Sequence, residues 1–192
     1  MPKVVYVTGA PAAGKSSTLR LLTEQIPDIV VWEYGARLTE LLQARSSEIK
    51  SQDEVRTNSA KVVTPADIAE LDQHLLAFVE QNRGRRPVIV DSHPVTKERY
   101  GYRITAFSLA QIQRLAPDEI WVFIASPTET RRRIESDAGG RPQVSEEEAR
   151  FHTTLQASVA ATYGVLSNAA VYVFETAGSR QNLIEQLRKR LA

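Results

Sequence analysis

Gly9, Gly14, Lys15 and Ser16 stand in the spacing G-x-x-x-x-G-K-S within the stretch GAPAAGKSS. Glycines so placed let backbone N–H groups turn inward around an anion. The lysine ammonium then reaches the outer phosphates of a nucleoside triphosphate, and the next hydroxyl ligates a divalent cation. The apolar run VVYVTG precedes the stretch, and KSSTLRLLTEQI follows it with Leu19, Leu22 and Ile26 on one helical face. That context adds the positive end of a helix dipole and argues against a mere small-residue turn. The expected ligand is ATP with Mg2+. Its contacts are expected at Gly9, Ala10, Pro11, Ala12, Ala13, Gly14, Lys15, Ser16 and Ser17, the last as an extra donor to the α-phosphate.

A cation beside such a loop needs a carboxylate at the end of a neighbouring strand, and VIVDSHP supplies Asp91. Ser16 and Asp91 are the expected metal ligands. Phosphoryl transfer between two anions asks the protein to align them and to neutralise the moving charge, which is work for arginines on polar connecting segments. Arg56 lies in the aperiodic stretch 44–63, while Arg131, Arg132 and Arg133 precede the stretch 136–144 and Arg141 lies within it. The expected catalytic set is Lys15, Asp91, Arg56, Arg132 and Arg141, although arginines at a helix end also suit a solvated face. His93, beside Asp91, could bond an acceptor or serve structure alone. His74 and His152 read as surface or satisfied core residues. Trp32 reads as core, whereas Tyr34 and Tyr102 could stack on a base.

These residues need a frame. Five β-rich runs (3–8, 29–33, 87–91, 119–125 and 170–174) alternate with segments of helical period, the pattern of a parallel sheet covered by helices on both faces. Helix starts are announced by Thr64-Pro65 with Asp67, by Ser126-Pro127 and by the capping box Ser145…Glu148. The last of these opens a helix whose buried stripe should run Ala149, His152, Leu155, Val159, Tyr163 and Leu166. A length of 192 residues suits one domain, residues 1–192. Basic and acidic residues number 24 and 23, so no global field draws the chain to nucleic acid or an anionic membrane. The absence of cysteine excludes thiolate chemistry. The longest apolar run, IWVFIA, is far short of a membrane span, and a cytoplasmic protein is expected.

Beyond the phosphate loop, the stretches EYGARL, QDEVR, VIVDSHPVTKERYGY, LAPDEIWVFIASPTETRRR, SEEEARFH and ATYGVLSNAAVYVF follow in order. Together they resemble the archaeal-type adenylate kinases over nearly the whole chain. The resemblance implies a three-layer α/β P-loop NTPase fold with a five-stranded parallel sheet, reversible transfer from Mg·ATP to AMP, and commonly a trimer. It implies a monophosphate-binding flap at about 36–63 and a lid at about 131–145. Acceptor contacts would come from Tyr34, Gly35, Arg56, His93, Gly101 and Tyr102. The chain departs from the family pattern at Ala36, where Asp is usual after Tyr-Gly. It departs again at Arg103, Ile104 and Thr105, and in a lid that retains Arg141 alone. The alternatives are a P-loop kinase of another small acceptor, such as a nucleoside or metabolite, and a nucleotide-responsive ATPase or assembly factor.

Overall fold

A computed structural model describes residues 1–45, 51–52, 55, 62–98, 100–136 and 142–191. In chain order its elements are β1 (Val4–Gly9), α1 (Lys15–Gln25), β2 (Val30–Glu33), α2 (Tyr34–Arg45), α3 (Pro65–Asn82), β3 (Val88–Asp91), β4 (Val95–Glu98), β5 (Gly101–Ile104), α4 (Leu109–Leu115), β6 (Glu119–Ile124), α5 (Pro127–Glu135), α6 (Glu146–Ser167), β7 (Ala170–Glu175) and α7 (Arg180–Leu191). The five expected strands form one parallel sheet in the order β2-β3-β1-β6-β7. All six residues of the central β1 are buried, as its unbroken apolar run requires.

Strand alternation divides the core in two. Val4, Tyr6, Trp32, Val88, Val90, Ile120 and Val122 face α3, α4 and α6 through Leu71, Leu75, Ile112, Ala160 and Tyr163. Val5, Val7, Ile89, Trp121 and Phe123 face α1 and α7 through Leu19, Leu22, Leu183, Ile184 and Leu187. The result is a helix–sheet–helix sandwich. Thr64, Ser126 and Ser145 cap their helices as expected, Thr64 and Ser145 in full capping boxes.

Three expectations are corrected or extended. On α6 the fully covered stripe is Ala149, His152, Gln156, Ala160, Tyr163 and Gly164, while Leu155, Val159 and Leu166 are only half-buried. Small residues face the sheet because α6 comes close to it: a Cβ at Gly164 would sit 2.5 Å from Val171 Cγ2. Two strands not expected from the sequence, β4 and β5, form an antiparallel hairpin directly after Asp91-Ser92-His93-Pro94. The range expected for the flap begins inside α2, a helix tied to α3 by ion pairs from Arg45 to Asp67 and Glu70.

The hairpin is fastened to α6. Gln156 Nε2 donates to the Val95 carbonyl at 3.2 Å, and His152 Nε2 lies 3.1 Å from the same oxygen. Lys97 pairs with Glu148 at 2.6 Å. Burial holds the His152 pKa below the ordinary imidazole value of about 6.5, the Lys97 charge adds to this, and the Val95 carbonyl opposes it. As pH falls below that value the unfolded chain takes up a proton that the folded chain refuses. The stability present above it is therefore lost on acidification. Thermal unfolding between pH 7 and 5 is expected to show a shallower loss in His152→Gln than in the parent; equal slopes would remove His152 as the cause.

Candidate functional site

The register Val7↔Asp91 brings the end of β3 beside the end of β1, where the phosphate loop leaves the sheet. Lys15, the first residue of α1, forms an ion pair with Asp91 there. Their side chains are only 12% and 9% exposed, so the pair is largely withdrawn from water. Asp91 and Lys15, remote in sequence, thus meet where a triphosphate tail would lie. Ser16 follows on an exposed position of the same turn.

The start of α1 is built differently from its neighbours. Side-chain hydroxyls of Thr64, Ser108, Ser126 and Ser145 cap α3, α4, α5 and α6. The N-cap of α1 is Gly14, which supplies no side-chain bond, and its first turn holds no acidic residue. That leaves the positive helix end open to an incoming anion. Gly14 has φ +81° and Ala12 φ +60°, both left-handed, so the backbone reverses twice within the loop. The Ser17 hydroxyl donates to the Gly14 carbonyl at 3.0 Å.

The chemistry of the donor set fits magnesium. A carboxylate at Asp91 and a hydroxyl at Ser16 are hard oxygen ligands of the kind this cation takes alongside phosphate oxygens. Among the described residues no group of three or more His, Asp or Glu side chains forms an all-protein metal site. A cation here would share its coordination with the nucleotide. Its chemistry would be to neutralise phosphate charge.

The arginines separate into distinct positions. Arg56 and Arg141 lie outside the described residues. Arg132, expected at the transferred group, is 68% exposed and grips Glu129 with both Nε and Nη2 at 2.7 Å. These contacts, with those of Arg133, hold the Glu129 carboxyl down at about 2. Arg131 lies 3.6 Å from Glu135 and 3.9 Å from Glu146. Among the described members of this set, Arg133 touches the phosphate loop: its Nη1 donates to the Ala12 carbonyl at 3.1 Å. Neighbouring arginines on a helix point about 100° apart, and the sequence does not reveal which of them faces the loop.

At the start of α2, three residues converge. A Cβ at Gly35 would lie 2.5 Å from Gln52 Nε2 and 3.8 Å from His93 Cε1, so glycine is what admits the Gln52 carboxamide. Gln52 was not among the residues expected from sequence, for it sits in a polar stretch without period. The Tyr34 hydroxyl is directed to Asp72, donating to Oδ1 at 2.7 Å while Gln111 Nε2 donates to Oδ2 at 2.6 Å. Burial raises the pKa of Asp72 and drives that of the Tyr34 phenol far above its usual value. The Tyr102 hydroxyl donates to the Glu148 carbonyl at 3.0 Å, and its ring meets Phe151 and His152 edge-on at 5.3 and 5.1 Å. Both phenol groups therefore have protein partners, and base stacking at either would use a ring face. Gly101, at φ +141°, turns the chain at the hairpin. Trp32 is core, packed against Phe78, and His74 is exposed.

Comparisons with known proteins bear on the family and the fold. A family model described as an AAA domain matches residues 8–150. The chain is 27% identical over 177 residues to the adenylate kinase of Pyrococcus furiosus, covering 91% of this chain and 87% of that relative. It is equally similar, with the same coverage, to the adenylate kinase of Thermococcus onnurineus. Among solved structures, shikimate kinase from Bacteroides thetaiotaomicron superposes with a TM-score of 0.58 at 14% identity, covering 100% of this chain and 99% of that one. The tunicamycin resistance protein of Deinococcus radiodurans superposes with a TM-score of 0.56 at 18% identity, covering 100% and 96%. These structural likenesses speak for the fold, the three-layer α/β P-loop NTPase architecture.

Proposed function

The chain belongs to the AAA domain family, and on that premise we propose that this adenylate-kinase-like phosphotransferase acts on a nucleoside monophosphate, with AMP first in line. An acceptor phosphate oxygen attacks the γ-phosphorus of ATP, the bond from that phosphorus to the β–γ bridging oxygen breaks, and two diphosphates result. The observation that carries the reading is the withdrawn Lys15–Asp91 pair at the joined ends of β1 and β3, directly beneath an uncapped helix start. Lys15 would neutralise charge on the β- and γ-oxygens. Asp91 and Ser16 would hold the cation.

The acceptor side supports a monophosphate in a second way. Gly35 lets the polar side chains of His93 and Gln52 come together at the start of α2. A carboxamide can pair with an adenine edge through donor and acceptor together. Arg56, four residues beyond Gln52, would grip the acceptor phosphate, and Arg141 the group in transit. The relatives in Pyrococcus furiosus and Thermococcus onnurineus carry the name adenylate kinase, which puts adenine ahead of the other bases. A cytoplasmic setting would supply both substrates.

Incubation with Mg·ATP and each of the common monophosphates, with diphosphate resolved by chromatography, tests the reading. AMP is expected to be converted fastest, and omission of Mg2+ is expected to stop conversion. ATP hydrolysis without conversion of any monophosphate would instead favour an ATPase or a kinase of another acceptor. The departure at Ala36 makes that comparison worth running across all bases.

A further inference from the structure

The phosphate loop is held from behind by two side chains that arrive from the far half of the chain. Thr176, just past β7, donates its hydroxyl to the Ala13 carbonyl at 2.7 Å. Arg133, on α5, donates through Nη1 to the Ala12 carbonyl at 3.1 Å and to Thr176 Oγ1 at 3.0 Å, and through Nη2 to the Thr176 carbonyl at 3.1 Å. Glu129 accepts from Arg133 Nε at 2.7 Å and fixes the fork. Thr176 is itself anchored to the sheet, its N–H donating to the Ile124 carbonyl at 2.9 Å.

The geometry points to Arg133 and Thr176 as a positioning pair that holds the loop in its phosphate-receiving shape, an inference that rests on reading this loop as the ATP site. Ala12 is a non-glycine residue in the left-handed region, a conformation that persists only where its surroundings impose it. Pinning the Ala12 and Ala13 carbonyls outward sets the direction of the peptide units on either side, because C=O and the following N–H point opposite ways in one plane. Gly14 is part of the same fit: a Cβ there would lie 2.9 Å from Arg133 Nη1 and 3.0 Å from Thr176 Oγ1. A hydroxyl that must donate and accept at once, and a fork that must reach two different oxygens, explain why threonine and arginine stand here. Arg133 acts through the loop backbone and is not a catalytic residue in this role. Arg133 itself lies within the range expected for the lid, so the pair also ties that part of α5 to the loop.

Calorimetric titration of the full chain with Mg·ATP tests the inference. Thr176→Val keeps the shape and removes the hydroxyl, and it is expected to raise the Kd about tenfold. Thr176→Ser restores the hydroxyl and is expected to stay within about twofold of the parent. Arg133→Lys keeps a charge without the fork and should weaken ATP about as much as Thr176→Val does. The double variant should fall short of the product of the two single effects, because both act on one pair of carbonyls. In steady state the KM for ATP should rise while the KM for the acceptor stays put. Parent-like ATP affinity in folded Thr176→Val, with or without a lowered melting temperature, would make the pair merely structural and overturn the inference. If Arg133→Lys does not fold, the valine and serine variants decide alone. A parent that takes up no Mg·ATP would fail at the ATP-site reading itself and take this inference with it.

Discussion

Replacing Lys15 with alanine is expected to cut phosphoryl transfer about a thousandfold and to lower the melting temperature of the ligand-free protein as well. The two losses have different origins. Transfer suffers because the ammonium that would neutralise the outer phosphates is gone, and water is a poor substitute in a site this withdrawn. Stability suffers because Asp91, 9% exposed, is left as a buried carboxylate without its cation. Breaking such a pair from one side costs about 3–5 kcal/mol. For a chain of this size that is on the order of 10 °C. The double variant Lys15→Ala/Asp91→Asn should regain much of the melting temperature and none of the activity. A coupled assay for diphosphate and thermal unfolding measure both. Activity near the parent level in Lys15→Ala would remove the phosphate-loop assignment.

Gly9→Ala is expected to do comparable damage by a different route. Gly9 closes β1 opposite Phe123 of β6, and a Cβ there would lie 2.6 Å from the Phe123 carbonyl oxygen. The obstruction is backbone in a fully buried strand, so no side chain can swing aside. The sheet must part where the loop departs from it, at a cost of about 3 kcal/mol by the measure of overpacked interiors. ATP affinity should fall with stability, since the first residue of the loop moves. Gly178→Ala is the control: nothing lies within 4 Å of the added methyl, and its effect should stay within about 0.5 kcal/mol. Equal melting temperatures for Gly9→Ala and the parent would show that β1 and β6 are less tightly joined than the geometry requires.

The phosphate loop and the five strands were legible because each is a local pattern: fixed letters in one case, unbroken apolar runs in the other. Helix caps were legible for the same reason, as at Thr64 and Ser145, where the partner stands three residues away. The β4–β5 hairpin was not, since VTKE and GYRI carry neither an apolar run nor a familiar turn dipeptide. The stripe on α6 was drawn through Leu155 and Val159 by hydrophobicity, whereas close packing selected Gln156, Ala160 and Gly164. Gln156 enters the core because its carboxamide is used twice, at Thr8 Oγ1 and at the Val95 carbonyl. The acceptor reading rested on resemblance, and Gln52 emerged only when folding set it against Gly35. Thr176 and Arg133 were the least visible of all, since their importance lies in carbonyls more than a hundred positions upstream.

Val5 pairs with Ile89 on one side and with Glu119 on the other. β1 is therefore completed only once β6, far downstream in the chain, has been made. At about 5–20 residues per second, its greasy edges stay bare for several seconds during translation. Holdase chaperones should engage the nascent β1 segment until β6 emerges, and the same wait makes refolding from denaturant a slow, aggregation-prone process for this topology.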